Sequence, residues 1–222
     1  DELGNLARAF NRMSESLREM LNAREQLLLD VSHELRSPLT RMKVALEFIP
    51  EDSSRESLQS DVQEMEQMVT EILETARLKS EYAKLDRQAT DLGPLIQQAC
   101  LKFEGKAPGI SFEKAAGKCV ALVDFEQIQT VLKNILANAL KYSAPENEPI
   151  KVRLSRDDSG IQLEIQDYGQ GIPDEEMDLI FETFYRVDKS RNKKTGGYGL
   201  GLSLCKTIIE AHGGTISVKS SM

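Results

Sequence analysis

Ser32-His33-Glu34-Leu35-Arg36-Ser37-Pro38-Leu39-Thr40 decides how this chain is read, because it sets one of only two histidines beside an acid inside a long run of helical periodicity. The apolar residues around it recur at heptad spacing: Leu17, Leu21, Leu28, Val31, Leu35, Met42, Ala45 and Ile49, interrupted at Arg24 and Pro38. At about 100° per residue His33 lies about 160–200° from Val31 and Leu35, so a helix that buries the stripe turns the imidazole outward. An exposed imidazole beside a carboxylate is a reachable nucleophile, since Glu34 can accept one ring N–H while the other nitrogen keeps its lone pair. Histidines next to glutamates are also common on solvated helix faces, so the assignment turns on the rest of the chain.

Working outward, residues 1–82 lack glycine after Gly4 and break once, at Ile49-Pro50-Glu51-Asp52-Ser53-Ser54. The break predicts two helices. The second starts near Ser54, with Ser53 or Ser54 as N-cap and Glu56 in its first turn. Its apolar positions Leu58, Val62, Met65, Val69, Ile72 and Ala76 alternate steps of four and three. A hairpin of two such helices cannot bury its whole seam alone, and pairing two hairpins into a four-helix bundle solves the problem. A homodimer is expected.

Composition bounds the rest. With 222 residues, 40% hydrophobic and 29% charged, the chain supports one or two ordinary globular domains. Its net charge of −8 argues against broad nucleic-acid binding, which wants a basic face. The longest apolar runs, such as Leu27-Leu28-Leu29, are too short to cross a bilayer, and no signal peptide opens the sequence. This stretch is therefore expected to be soluble. Cys100, Cys119 and Cys205 form no CxxC pattern and read as reduced, buried, small hydrophobes.

Past Tyr82 glycine and proline become frequent and strand-like and helix-like segments alternate. Strands are expected at 84–90, 110–115, 119–123, 150–156, 161–167 and 214–219, and helices at 92–104, 125–142 and 199–212. Asp157-Asp158-Ser159-Gly160 reads as a hairpin turn. The pattern predicts an α/β sandwich, one mixed sheet covered by helices on one face.

Three stretches in this half carry chemistry. In Asn134-Ile135-Leu136-Ala137-Asn138-Ala139-Leu140-Lys141-Tyr142-Ser143, helical spacing puts Asn134, Asn138, Lys141 and Tyr142 on one side. Amide oxygens with a cation suit a Mg²⁺-triphosphate, oxygens for the hard metal and ammonium for phosphate. Asp167-Tyr168-Gly169-Gln170-Gly171-Ile172 follows a strand. There a carboxylate can accept from an exocyclic amine while glycine backbone passes close to a flat base. Thr195-Gly196-Gly197-Tyr198-Gly199-Leu200-Gly201-Leu202 puts four glycines ahead of a helix, a setting that favours a phosphate chain. The polar run Lys189–Lys194 precedes it where a dinucleotide fingerprint needs a strand, which disfavours a Rossmann unit.

Each stretch alone is weak, but their order is specific. The chain resembles the catalytic core of a bacterial sensor histidine kinase over essentially its whole length. SHELRSPLT resembles the phosphoacceptor box, NILANALKYS the Asn box, DYGQGI the first glycine box, Phe181-Glu182-Thr183-Phe184-Tyr185-Arg186 the Phe box, and TGGYGLGL the second glycine box. The opening Asp1–Met13 resembles the second helix of a HAMP signalling relay. The resemblance implies three regions: a HAMP end at 1–20, a dimerisation and histidine-phosphotransfer hairpin at 21–82, and a GHKL (Bergerat) ATP-binding sandwich at 83–222. It places the full protein on the cytoplasmic side of the bacterial inner membrane, tied to it only through a missing N-terminal region. It also implies one more strand after Thr215–Lys219, so the sheet is expected to lose an edge.

The resemblance further implies that His33 is the phosphoacceptor and Glu34 its base, with Arg36 and Pro38 in support, Pro38 by bending the helix. Asn138, with Asn134 nearby, would hold Mg²⁺, Lys141 and Arg186 would contact phosphates, Tyr142 would flank the nucleotide, and Asp167 would bind the adenine amine. Gly169, Gly171, Ile172, Gly197, Tyr198, Gly199, Leu200 and Gly201 would shape the ATP pocket and its lid, which runs from Ile172 to Gly196. The partner is then a response regulator receiver domain, phosphorylated on aspartate and dephosphorylated with help from Ser37. Related kinases commonly carry Thr or Asn at that position, and serine has a freer rotamer. Two rivals remain. GHKL ATPases hydrolyse ATP with a glutamate four residues before the metal-binding asparagine, where this chain has Asn134, which cannot take a proton. A non-catalytic dimeric scaffold is the other, against which the intact His33 and Asn138 speak.

Overall fold

The computed structural model describes residues 2–50, 53–78, 85–114, 117–158, 160–187 and 198–220. The chain divides into two compact units, Asp1–Ala83 and Lys84–Met222.

Unit 1 is a helical hairpin of α1 (Glu2–Leu46) and α2 (Ser53–Leu78). α1 runs through Pro38 without a break. Pro38 has no N–H to give the Glu34 carbonyl, so that carbonyl lacks its usual helical donor. The helix closes with three i→i−3 bonds of 3.2 Å, from Glu47, Phe48 and Ile49 to Val44, Ala45 and Leu46. Such tightening satisfies terminal carbonyls before Pro50 forces extended backbone. The expected N-cap at Ser53 or Ser54 is displaced: both are already helical, and the preceding residue lies outside those described.

The helices meet through Leu39, Leu46 and Val62, with Val69 packed against them, and Lys43 pairs with Glu66 across the hairpin. The expectation that a single hairpin leaves part of its apolar seam uncovered agrees with the exposures. Leu17, Val31, Leu35, Met42 and Ile49 are exposed, and Leu39 and Leu46 face α2 instead. On α2 the stripe divides, Val62 and Val69 toward α1 and Leu58, Met65 and Ile72 outward. A helix packed on one neighbour within its unit can bury only one seam there. No described helix is long and apolar enough to cross a membrane.

Unit 2 consists of β1 (Arg87–Asp91), α3 (Leu92–Leu101), β2 (Ile110–Lys114), β3 (Val120–Asp124), α4 (Phe125–Tyr142), β4 (Ile150–Asp157), β5 (Gly160–Gln166) and α5 (Gly201–Ala211). Short 3-10 turns occupy Asp174–Glu176 and Leu179–Phe181. Twice a strand ends in an aspartate that caps the next helix. Asp91 accepts from Gly93 N–H at 3.2 Å, and Asp124 from Gln127 N–H at 3.2 Å.

The described strands form two sheets rather than the single one expected. β1 and β3 make an antiparallel ribbon, while β4 lies between parallel β2 and antiparallel β5. β4 alternates core and solvent, with Ile150, Val152 and Leu154 inside. They join Leu95, Ile96, Ala99, Leu132, Leu136 and Cys119 in one core. Each large aliphatic side chain so buried contributes about 1.5–3 kcal/mol. All three cysteines are free, and burial pushes the Cys100 thiol above its usual range. The strand expected at 214–219 does not form. Ile216 and Val218 alternate with exposed neighbours as an edge strand would, but no ladder engages them among the described residues.

Candidate functional site

The phosphoacceptor box lies within α1. His33 is helical, and its side chain lies outside those described, so the expected outward turn of the imidazole does too. Glu34, Arg36 and Ser37 are exposed around it. One turn past His33, Ser37 Oγ accepts from the Arg41 guanidinium at 2.8 Å, and Thr40 Oγ1 donates to the Arg36 carbonyl at 2.9 Å. The Arg41 contact supplies some of the rotamer restriction that serine lacks beside threonine.

In unit 2 the boxes fall on the wall built by α4 and the loops after β5. α4 is amphipathic. Leu132, Leu136 and Ala139 anchor it in the core, and this leaves Asn134 and Asn138 half-buried and Lys141 and Tyr142 exposed at its C-terminal end. Lys141 Nζ lies 4.9 Å from the Tyr142 ring centroid, so cation and ring are held as a pair. The Asn134 side-chain nitrogen is buried with no hydrogen-bond partner among the described residues. Because amide nitrogen and oxygen exchange by a flip, the orphan can equally be a buried acceptor.

The first glycine box turns against the end of α4. Asp167 is exposed at the end of β5 and its Oδ1 accepts from Gly169 N–H at 2.9 Å. A Cβ on Gly169 would come within 2.6 Å of the Tyr142 carbonyl oxygen, so this contact admits only glycine. Gly171 follows with φ of 77°, and Ile172 N–H donates to Ser220 Oγ at 2.8 Å. Asn147 donates through its side chain to the Tyr168 carbonyl, tying the loop after α4 to the same turn. Neither Asn147 nor Ser220 was picked out from the sequence, since polar residues in loops have no periodicity to mark them.

The Phe box and the second glycine box brace each other. Phe184 N–H donates to the Gly199 carbonyl at 2.9 Å. Gly199 has φ of 73°, and a Cβ there would meet the Tyr185 carbonyl oxygen at 2.3 Å. Phe184 itself sits at φ of 68°, a conformation that costs a non-glycine residue about 1–2 kcal/mol. Burial, then the nearby Glu176 carboxylate, pushes the Tyr185 phenol above its usual range. Leu200 is buried, Tyr198 exposed and Arg186 half-buried. Gly201 opens α5 directly against Asn134, where an added Cβ would lie 3.6 Å from Asn134 Cγ. Gly197 and residues 188–196 before it lie outside the described residues. The structure thus brings Asn134 to Gly201, and Tyr142 to Asp167 and Gly169. His33, Glu34 and Ser37 belong to the other unit.

Comparison with known proteins agrees with this division. Residues 23–81 match the His Kinase A (phospho-acceptor) domain, and residues 123–222 match the histidine kinase-, DNA gyrase B- and HSP90-like ATPase family. The sensor histidine kinase MtrB of Mycolicibacterium paratuberculosis is 30% identical across 97% of the chain. The sensor protein ChvG of Agrobacterium fabrum and the signal transduction histidine-protein kinase ArlS of Staphylococcus aureus are each 32% identical, across 99% and 100%. The chain spans 41%, 40% and 51% of the lengths of these three relatives. Full-length ShkA, solved in complex with AMPPNP, shares the fold at a TM-score of 0.70 with 24% identity, covering 88% of this chain and 44% of its own. The histidine kinase AdeS of Acinetobacter baumannii does so at 0.59 with 23% identity, covering 81% and 86%. With a phosphoacceptor domain followed by an ATPase-like domain, in the order in which the boxes run, the chain belongs to the bacterial two-component sensor histidine kinases.

Proposed function

We propose that the chain binds ATP in unit 2, transfers the γ-phosphoryl group to a ring nitrogen of His33, and passes it to an aspartate of a response regulator receiver domain. The observation that carries this reading is the wall of α4. There the buried side-chain nitrogen of Asn134, with no hydrogen-bond partner among the described residues, lies near the glycine that opens α5, and a glycine-only contact sets Asp167 beside Tyr142. Asn138 and Asn134 offer oxygen donors that suit a hard divalent cation, which when bound would neutralise charge on the phosphates. Lys141 and Arg186 would take phosphate oxygens, Tyr142 would flank the base, and Asp167 would accept from the adenine amine. Glu34 would accept the ring N–H of His33 and so raise the nucleophilicity of the other nitrogen, which keeps its lone pair. Transfer then asks the protein mainly for alignment and charge neutralisation.

In the same reading unit 1 dimerises. The exposed residues Leu35, Met42 and Ile49 of α1 and Leu58, Met65 and Ile72 of α2 each repeat every seven positions. A second hairpin laid on them makes a four-helix bundle. Asn134 stands where a hydrolytic ATPase needs a carboxylate base, which favours phosphotransfer over hydrolysis. Ser37, on the face of His33, would orient the water that removes phosphate from the regulator. The HAMP-like opening of α1 and the sensors among the relatives support a full-length protein fed from the membrane, with this core on its cytoplasmic side.

Incubation with labelled ATP and Mg²⁺ tests the reading. The expected phosphate is lost in acid and kept in base, as a phosphoramidate is. His33→Gln and Asn138→Asp should each abolish it, and label persisting in His33→Gln would overturn the acceptor.

A further inference from the structure

At the end of unit 2 away from the glycine boxes, His212 joins two helices through both of its ring nitrogens. α5 runs back along α4, and three contacts mark the seam. Gly201 lies against Asn134, the Cys205 thiol approaches the Val131 carbonyl at 3.8 Å, and His212 Nε2 accepts from the Asp124 backbone N–H at 2.9 Å. The seven residues from Asp124 to Val131 are matched by the seven from Cys205 to His212, and the three from Val131 to Asn134 by the four from Gly201 to Cys205, so the contacts follow one antiparallel seam about 16 Å long at 1.5 Å per residue.

The ring's protonation follows from its partners. A backbone N–H can only donate, so Nε2 is an acceptor. Nδ1 lies 2.7 Å from the Ile208 carbonyl, which can only accept, so Nδ1 carries the hydrogen. The junction is reinforced on the strand side. The Asp124 carboxylate takes Gln127 N–H at 3.2 Å and Asp86 N–H at 3.1 Å, and Arg87 donates to the Ala211 carbonyl.

We infer that His212 is a positioning residue for nucleotide binding: as the neutral Nδ1–H tautomer it fixes how far α5 sits along α4. The inference rests on the nucleotide site proposed above. Val131, Leu204, Cys205 and Ile208 are buried in this unit, and the hydrophobic term that drives this burial is itself non-directional. A hydrogen bond is directional and fails within a few tenths of an ångström. Because a close-packed interior has low compressibility and transmits strain, a slip at His212 carries to the other end, where Gly201 lies against Asn134.

Two measurements on the whole chain test this. In a His33→Gln background His212 is the only histidine, and its ring ¹⁵N shifts at neutral pH should show the Nδ1–H tautomer. The Nε2–H tautomer or an imidazolium would overturn the inference. In the parent background, calorimetry with AMPPNP and Mg²⁺ separates the two ring contacts. His212→Gln keeps an acceptor at the Nε2 position and should bind within about threefold of the parent. His212→Asn keeps only a donor near Nδ1 and should bind about tenfold more weakly or worse, at unchanged helix content. Parental binding by His212→Asn, or equal losses in both variants, would overturn it. Should His212→Asn not fold, the tautomer and His212→Gln decide. A parent that binds no AMPPNP would sink the nucleotide site and this inference together, whereas a binding parent with an indifferent His212→Asn would sink only the latter.

Discussion

In α4 of unit 2, Leu132 and Leu136 are fully buried by strands and helices of their own unit, whereas Leu35, Met42 and Ile49 of α1 are 42%, 47% and 39% exposed. Both helices carry an apolar stripe with the same kind of spacing, so the difference lies in the neighbours available to each. α4 has the β4 strand, α3 and α5 around it. Within unit 1, α1 packs on α2, and among the described residues Leu39 and Leu46 are the apolar side chains of α1 buried there. Unit 2 thus covers the apolar face of α4 with its own elements, while unit 1 leaves described apolar residues of both helices exposed. The same contrast separates the chemistry. Unit 2 builds its wall from interlocking backbone, as at Gly169 and Gly199, while unit 1 presents short polar side chains on an exposed helix face.

The sharpest way to break the contrast is to cut the enclosed core. Leu136→Ala leaves a cavity among Leu132, Ile150 and Val152 and should destabilise unit 2 by about 2–5 kcal/mol. In calorimetric melts one transition should fall at every protein concentration while the other holds. A shift that depends on concentration would show that unit 2, too, relies on a partner.

Leu17→Glu sharpens the other side. Leu17 is 57% exposed in the single chain, so the change should be harmless to a monomer. If a second copy covers the stripe, it places two carboxylates in an apolar seam and should weaken dimerisation about 100-fold, or about 2.7 kcal/mol. Sedimentation of a dilution series reads this directly, and an unchanged association constant would remove that part of α1 from the interface.

Smallest is the effect expected at Ser37. Its hydroxyl oxygen already accepts from Arg41, which leaves the hydroxyl hydrogen for a water. Ser37→Ala should leave labelling of His33 within a few-fold and slow dephosphorylation of the phosphorylated regulator about tenfold, or about 1.4 kcal/mol. Ser37→Thr should match or exceed the parent, because its branched Cβ restricts the hydroxyl further. Decay of the phospho-regulator in the presence of ADP distinguishes them, and equal decay in Ser37→Ala and the parent would reduce the residue to a helix position before Pro38.

The sequence by itself determined the two-part plan, the hairpin break at Pro50, the span of α4, and the boxes in their order. These rest on local chemistry: proline cannot continue a helix, aspartate and glycine mark ends, and a 3.6-residue period survives in the letters. What it could not say is which of two apolar lines on α1 meets α2, because both have heptad spacing and only packing chooses. Nor could it say that the described strands form a ribbon and a three-stranded sheet, or that Ile216 and Val218 find no ladder among the described residues, because strand pairing is made by residues far apart in the chain. The strand at 87–91 began three residues later than its pattern suggested, where Arg87 pairs with Asp124. His212 shows the same limit most plainly. As a letter it is a histidine before two glycines, and only the antiparallel run of α5 along α4 brings its ring to the backbone of a residue 88 positions away.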